Sequence, residues 1–278
     1  MRPSRHLTNH RGVRHSSAHA KTIDGALKIL CRFNHASPEW TIRDLAQQLD
    51  VPYSTAYRYV STLEESGYLV RHRPTESYRI GLPLIELAGV ALNQIDVRVH
   101  GLSHLDHLAD LTGLNANLAL LYEGDTFHIA YAVRSAVPRM YTALGRRAVA
   151  HCTALGKTLL AALPFDEVRS LVETYGWRPY TPRSIQNFPD LEKALAEVRT
   201  QGYALDRGER HLGTSCVAAP IRDKTGQVIA AISVTGPNDQ FSDEQLPGLI
   251  VTVLEHASVI SYRLGYDDAD PQPVTPLV

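Results

Sequence analysis

Residues 41–81, TIRDLAQQLDVPYSTAYRYVSTLEESGYLVRHRPTESYRIG, constrain the fold more than any other stretch. Ile42, Leu45, Ala46 and Leu49 fall at i, i+3, i+4 and i+7, the repeat of one helix face. Thr41 is suited to cap that helix, because its hydroxyl can accept an orphan N–H of the first turn, and Asp44 stands where a capping box has its acid. Asp50-Val51-Pro52 breaks the helix. Pro52 suits the first turn of a second one, where its missing N–H has no partner to lose. The second helix carries Ala56, Val60 and Leu63 on one face and Ser54, Tyr57, Arg58 and Ser61 on the other, and Gly67 suits its C-terminal cap. Two short apolar-rich runs, Tyr68-Leu69-Val70 and Tyr78-Arg79-Ile80, then flank the basic turn Arg71-His72-Arg73-Pro74. Helix, turn, helix and basic hairpin is the layout of a winged helix-turn-helix. The two helices alone also describe an ordinary α+β patch. The wing decides for DNA, because it adds a second phosphate-reaching element beside the helix.

A chain of 278 residues suggests about two domains. It has no apolar run long enough to span a bilayer, and its start, MRPSRHLTNHRGVRHSSAHAK, lacks the apolar core of a secretory signal. Cys31, Cys152 and Cys216 are an odd number without CxxC spacing, which speaks against a disulfide framework or a structural zinc site. A cytoplasmic protein with no cofactor and no membrane partner is expected. The net charge of −1 hides an asymmetry: residues 1–81 hold 12 Lys and Arg against 7 Asp and Glu, the rest 16 against 22. A basic front and an acidic back suit a nucleic-acid-binding domain joined to one with another task.

The expected organisation is a disordered basic tail over 1–20, a DNA-binding domain over 21–82, a linker helix over 83–100, a second domain over 101–265 and an acidic tail over 266–278. Residues 22–34 form a bracing helix with the stripe Ile23, Ala26, Leu27, Leu30 and Cys31, which places Cys31 in the core. Gly89 and Gly101 are candidate breaks in the helical pattern that follows. In the second domain strands are expected at Leu118–Tyr122, Thr126–Ala132, Arg139–Ala143, Cys216–Ile221 and Val228–Val234. Helices are expected at Ala154–Leu163, Phe165–Tyr175, Asp190–Gln201 and Ser242–Leu264. Strands and helices that do not alternate strictly predict an α+β fold, an antiparallel sheet with helices packed on it.

Several ordered motifs resemble those of the IclR-type transcriptional regulators. Ala26-Leu27-Lys28-Ile29-Leu30, Leu45-Ala46, Ser54-Thr55-Ala56-Tyr57-Arg58, Leu63, Gly67-Tyr68-Leu69 and Tyr78-Arg79-Ile80-Gly81 are similar to the family's N-terminal signature. His151-Cys152-Thr153-Ala154-Leu155-Gly156-Lys157 looks like its H-x-T-A-x-G-K element. Gly202-Tyr203-Ala204, Asp206, Glu209, Gly213, Cys216–Ile221 and Ala231–Pro237 continue the likeness, which covers roughly residues 22–265. The resemblance implies a winged helix-turn-helix domain, a linker helix and a GAF-like effector-binding domain. It also implies a dimer or dimer of dimers on a palindromic operator, with small organic or aromatic acids or related catabolites as effectors. RNA polymerase is a further partner, since effectors in such proteins change operator affinity or polymerase contacts. Control of a catabolic operon follows from the same resemblance.

On the DNA side the candidates are Arg58 for a base contact, Ser54, Thr55 and Tyr57 beside it, Thr41 and Arg43 on the preceding helix, and Arg71 and Arg73 on the wing. On the effector side they are Thr153, Ala154, Leu155, Asp206, Glu209, Cys216 and Ser233. Thr153-Ala154-Leu155 should open a helix, whose exposed N–H groups and dipole suit a ligand carboxylate. Tyr131, Tyr141 and His151 are candidates for apolar walls. Glu209 and Asp206 equally suit ion pairs with Arg207 or Arg210. Cys216, His151 and Asp206 are the residue types of a thiolate enzyme, and with Glu209 of a metal site, but no spacing supports either alternative.

Overall fold

The structure, a computed structural model, describes residues 18–134 and 143–267 of the chain. Residues 1–17 of the basic tail, nearly all of the expected strand Arg139–Ala143, and the acidic tail beyond Asp267 lie outside the described residues. The contacts divide the chain into two units between Val90 and Ala91.

The first unit begins with α1 (Ala18–Leu30), α2 (Ile42–Leu49) and α3 (Tyr53–Glu65). Residues 18–20, expected in the tail, already belong to α1. Thr41 caps α2 as expected: its hydroxyl accepts the Asp44 N–H at 3.2 Å and donates to the Asp44 carboxylate at 2.7 Å. Asp50 ends α2 in the left-handed region at φ 52°, and Pro52 stands just ahead of α3. Ile29, Leu45, Ala56, Val60 and Leu69 form the fully buried centre of this unit. The face that α1 turns inward differs from the expected one. Gly25 lies against the Tyr59 ring, where a Cβ would collide with it, and so Gly25 and Ile29 carry the contact. Ile23 and Leu27 are left exposed, and Cys31 lies exposed beyond the end of the helix rather than in the core.

The wing is the hairpin β1 (Leu69–His72) and β2 (Ser77–Ile80), with Leu69 opposite Ile80 and His72 opposite Ser77. Trp40 adds a one-residue third strand by pairing with Tyr78. The chain leaves the wing through Gly81, whose N–H donates to the Tyr68 carbonyl at 2.8 Å. A Cβ at Gly81 would fall on the carbonyl oxygen of Gly67, which itself sits at φ +74° after α3. Only glycine allows this crossing of two backbones.

The expected linker helix is two helices, α4 (Leu82–Asn93) and α5 (Asp96–Thr112). Neither Gly89 nor Gly101 breaks them. The break is at Gln94-Ile95, where Ile95 turns extended and packs with Val97 against the core of the second unit. Gly101 instead lets α5 approach the sheet, since a Cβ there would press on Leu118.

The second unit is built on six antiparallel strands in the order β5-β4-β3-β8-β7-β6. These are β3 (Asn115–Tyr122), β4 (Asp125–Ala132), β5 (Arg147–Val149), β6 (Ala204–Arg207), β7 (Thr214–Arg222) and β8 (Val228–Pro237). The three- and four-residue strands β5 and β6 were not expected, because so short a run shows no alternation. Helices α6 (Ala154–Ala161), α7 (Phe165–Tyr175), α8 (Phe188–Gln201) and α9 (Leu246–Arg263) complete the unit. Helices α5 and α9 bury one sheet face with Leu105, Leu108, Val253 and Ile260. On the other face Leu155, Leu159 and Leu160 of α6 and Leu191 and Leu195 of α8 form a second core. The sheet is therefore buried on both sides, and a group of polar side chains lies beneath the start of α6.

Gly81→Ala is expected to cost about 3 kcal/mol, the upper range of overpacking. A lowered denaturation midpoint for the N-terminal unit in the full chain, with the second unit's transition unmoved, checks this.

Candidate functional site

Helix α3 turns Ala56, Tyr59, Val60 and Leu63 inward. Its other face exposes Tyr53, Ser54, Tyr57 and Arg58, with Thr55 and Ser61 half-buried. Tyr53 and Tyr57 stack with centroids 6.4 Å apart. The Arg58 guanidinium lies 5.7 Å from the Tyr59 ring centroid and keeps its outer edge in solvent. Tyr53 belongs to this surface but was not singled out in the sequence. On α2 Arg43 is exposed, whereas the Thr41 hydroxyl proton is committed to Asp44.

The wing is less basic than its sequence. Arg71 is paired with Glu76 across the hairpin, and Arg79 with Glu39. Glu39 also accepts from Ser77 at 2.6 Å, and these contacts hold its carboxyl below the usual range. Arg73 is exposed and has no ion pair among the described residues.

In the second unit a partly open cavity lies between the sheet and the first turn of α6. It is lined by Asn117, Thr126, His128, Arg146, Ala148, Thr153, Ala154, Leu155, Asp206, Arg210, Thr214, Cys216 and Thr235. Its roof is the N-terminus of α6. Thr153 caps that helix, its hydroxyl accepting the Gly156 N–H at 3.1 Å. The N–H groups of Ala154 and Leu155 have no acceptor among the described residues. They are the orphan donors of a helix start, at the positive end of its dipole. Gly156 is required here because a Cβ would strike the Ala150 backbone.

Asp206, Cys216 and Thr235 stand opposite one another on β6, β7 and β8. Asp206 is 4% exposed and accepts the backbone N–H groups of Glu209 at 2.7 Å and Arg210 at 3.4 Å. Burial, reinforced by the nearby Glu209 charge, raises its carboxyl from 3.8 to about 7. Its protonated form, a hydrogen-bond donor, therefore persists to a higher pH than that of an exposed carboxylate. Burial pushes the Cys216 thiol up to about 12, and Thr235 donates to its sulfur at 3.1 Å. Such a thiol is inert rather than nucleophilic. His128 is pulled down to about 4 by burial and by Arg146 and Arg210, so it is neutral. The Arg210 guanidinium stacks on Tyr180, 3.5 Å from the ring centroid.

Thr153, Ala154, Leu155, Asp206 and Cys216 thus meet at this cavity; Glu209 and Ser233 do not line it. The Glu209 carboxylate is committed to Lys157 on α6, in an ion pair that is buried at both ends. Its partner is this lysine rather than Arg207 or Arg210. Ser233 is fully buried one strand position away, between Ala218 and Asn117. Tyr131 is exposed, and Tyr141 lies outside the described residues. His151 faces elsewhere, against Trp177 and Cys152, and accepts the Arg178 N–H at 3.4 Å. The Cys216, His151 and Asp206 constellation is therefore not assembled, and among the described residues no three His, Cys, Asp or Glu side chains could hold a metal ion. Asn117, Thr126, His128, Arg146, Arg210, Thr214 and Thr235 were missed in the sequence. For Asn117 and Thr235 the available signal was a polar residue at an inward position of an apolar strand.

Comparison with known proteins matches residues 89–262 to the bacterial transcriptional regulator IclR C-terminal domain. Residues 22–73 match the IclR helix-turn-helix domain. The chain belongs to the IclR family of bacterial transcriptional regulators. It is similar to the HTH-type transcriptional regulator KdgR of Escherichia coli, 34% identical over 82% of this chain and 86% of that one. It is also similar to the HTH-type transcriptional regulator XynR of Escherichia coli, 31% identical over 88% of this chain and 98% of that one. Among solved structures, an IclR homolog from Microbacterium hydrocarbonoxydans complexed with 4-hydroxybenzoate is 26% identical. It superposes with a TM-score of 0.76 over 87% of this chain and 98% of that one. Family members are regulators with a helix-turn-helix and an effector-binding C-terminal domain, and this chain has both parts. Among the described residues no helix is long and apolar enough to cross a membrane.

Lys157→Met is expected to cost about 3 kcal/mol, because Glu209 keeps a buried charge without its partner. The double variant with Glu209→Gln should recover most of that loss in chemical denaturation. Asp206 gives a pH signature. Its carboxyl is raised on folding, so its contribution to stability is present below 3.8 and is lost as the pH rises through about 7. The thermal midpoint of Asp206→Asn should therefore gain on wild type between pH 5 and pH 8 in the ligand-free protein.

Proposed function

We propose that this regulator binds a palindromic operator through α3 and the wing, and that a small organic or aromatic acid in the C-terminal cavity changes its hold on DNA. The target is a catabolic operon. One observation carries the acid-sensor reading: the unpartnered N–H groups of Ala154 and Leu155, at the positive end of α6, face a cavity also lined by Arg146 and Arg210. Donors, dipole and guanidinium groups together suit a carboxylate. A relative that binds 4-hydroxybenzoate supports the same ligand class.

For DNA, the exposed face of α3 supports Arg58 as the base-reading residue, with Ser54, Thr55 and Tyr57 beside it. Arg43 and Arg73 are free to reach phosphates. Thr41 and Arg71 contribute less, since Asp44 and Glu76 hold their polar ends. Residues 21–81 hold only 8 Lys and Arg against 7 Asp and Glu, so a single copy grips DNA weakly. Pairing of two copies corrects that weakness. The exposed Leu82, Ile85, Leu87 and Val90 of α4 support a dimer, alone or within a dimer of dimers. Ligand control then requires two states of that assembly with different ligand affinity.

Arg58→Ala should weaken binding to a duplex selected from random DNA by about 10- to 100-fold, and to random duplex much less. Equal losses on both would remove the base-reading role. Small carboxylic acids should raise the thermal midpoint where their amides do not; if no carboxylate does so, acid sensing fails.

A further inference from the structure

We infer that the acid taken by this cavity is aliphatic and bears hydroxyl groups along its chain, and that Asn117 and His128 are the residues that read them. The inference rests on the acid-sensor reading, which accounts for the carboxylate but not for the opposite wall. That wall is the sheet. Asn117 is 2% exposed there, and its Oδ1 is buried without a partner among the described residues. His128, 6% exposed and on the neighbouring strand, has Nδ1 in the same condition. Both line the cavity. Buried polar atoms without partners are rare in proteins, and two of them on side chains that line one cavity mark where a partner comes from outside.

The neighbouring hydroxyls say what that partner must bring. Thr126 spends its proton on the Ala148 carbonyl at 3.1 Å, and Thr235 spends its own on Cys216 at 3.1 Å. Thr214 donates to the His211 carbonyl at 3.2 Å. What these side chains still offer is oxygen lone pairs, and Asn117 Oδ1 offers the same. The sheet's hydroxyls and the Asn117 carbonyl oxygen are therefore acceptors that need donors. A neutral His128 ring presents either a proton or a lone pair at Nδ1, and a hydroxyl can meet both. An unsubstituted alkyl chain brings no donor. A phenol brings one proton, serves one acceptor, and lays its ring over the rest. Among the described lining residues only Ala148, Ala154, Leu155 and the Cys216 thiol are apolar, and none is aromatic apart from the imidazole. An aliphatic acid with several hydroxyls brings several donors, one for each of these acceptors.

The test uses the full-length protein and isothermal titration with two pairs of acids of equal carbon number, glycerate with propionate and gluconate with hexanoate, together with 4-hydroxybenzoate. In at least one pair the hydroxylated acid should bind about 10-fold or more tightly than its plain partner, and more tightly than 4-hydroxybenzoate. Asn117→Leu and His128→Leu should each remove about 10-fold of that preference while leaving the plain acid within about 2-fold. The same substitutions should raise the thermal midpoint of the ligand-free protein, since each replaces an unpartnered buried polar group by an apolar one. If the plain acids or 4-hydroxybenzoate bind as well as the hydroxylated ones, the inference is overturned and acid sensing stands. If the variants lose plain and hydroxylated acids alike, the two residues are structural and the inference falls. If no carboxylate binds, both readings fail.

Discussion

The buried pair between Lys157 and Glu209 sets the geometry on which the C-terminal cavity depends. Lys157 belongs to the second turn of α6, whose first turn is the roof. Glu209 belongs to the turn after β6, and its own N–H is held by Asp206 in the wall. One ion pair thus fixes roof against wall with Asp206 as the joint. Burial raises the Glu209 carboxyl, and only the ammonium beside it opposes that rise. A charge that cannot reach water orients its partner far more strictly than a surface pair does. The cavity lies between that roof and that wall.

The first unit obeys a different constraint. Its core is small, and its shape comes from places where side chains are missing. Gly25 admits the Tyr59 ring, and Gly81 admits the Gly67 carbonyl. These approaches fix how α1 lies on α3 and where the wing ends. They also leave Ile23 and Leu27 outside, although the periodicity of α1 put them within. Charge pairing of Arg71 and Arg79 within the wing leaves Arg73 as its free cation among the described residues.

Much of this was legible in the chain. The helix-turn-helix, its cap at Thr41 and the presence of the hairpin follow from periodicity and turn chemistry, which are local, although Arg71 and His72, expected in the turn, belong to β1. Most of the long strands β3, β4, β7 and β8 was visible as apolar-rich runs beside turn signals, and α7 to the residue. Other features were not legible because they depend on distant partners. Glu209 reads as a ligand-facing acid until Lys157 is seen to reach it, 52 positions away. His151 sits in a recognisable motif, yet its ring turns to Trp177. Asn117, His128 and Thr235 carry no motif, and only the curl of the sheet under α6 makes them neighbours. The break between α4 and α5 escaped because tertiary burial of Ile95, not glycine, produces it.

The alternation along β7 has a consequence for descent. Cys216 and Ala218 face the α6 side of the sheet, while Val217 and Ala219 belong to the core under α5 and α9. Neighbouring codons therefore serve separate tasks. If the proposed acid site is the sensor, a lineage can retune it by single replacements at positions such as 117, 128, 206, 216 and 235 without disturbing the opposite core. Insertion or deletion of one residue within these strands exchanges the two faces and loses both at once. Relatives are thus expected to drift freely in what they sense while their strand lengths stay fixed.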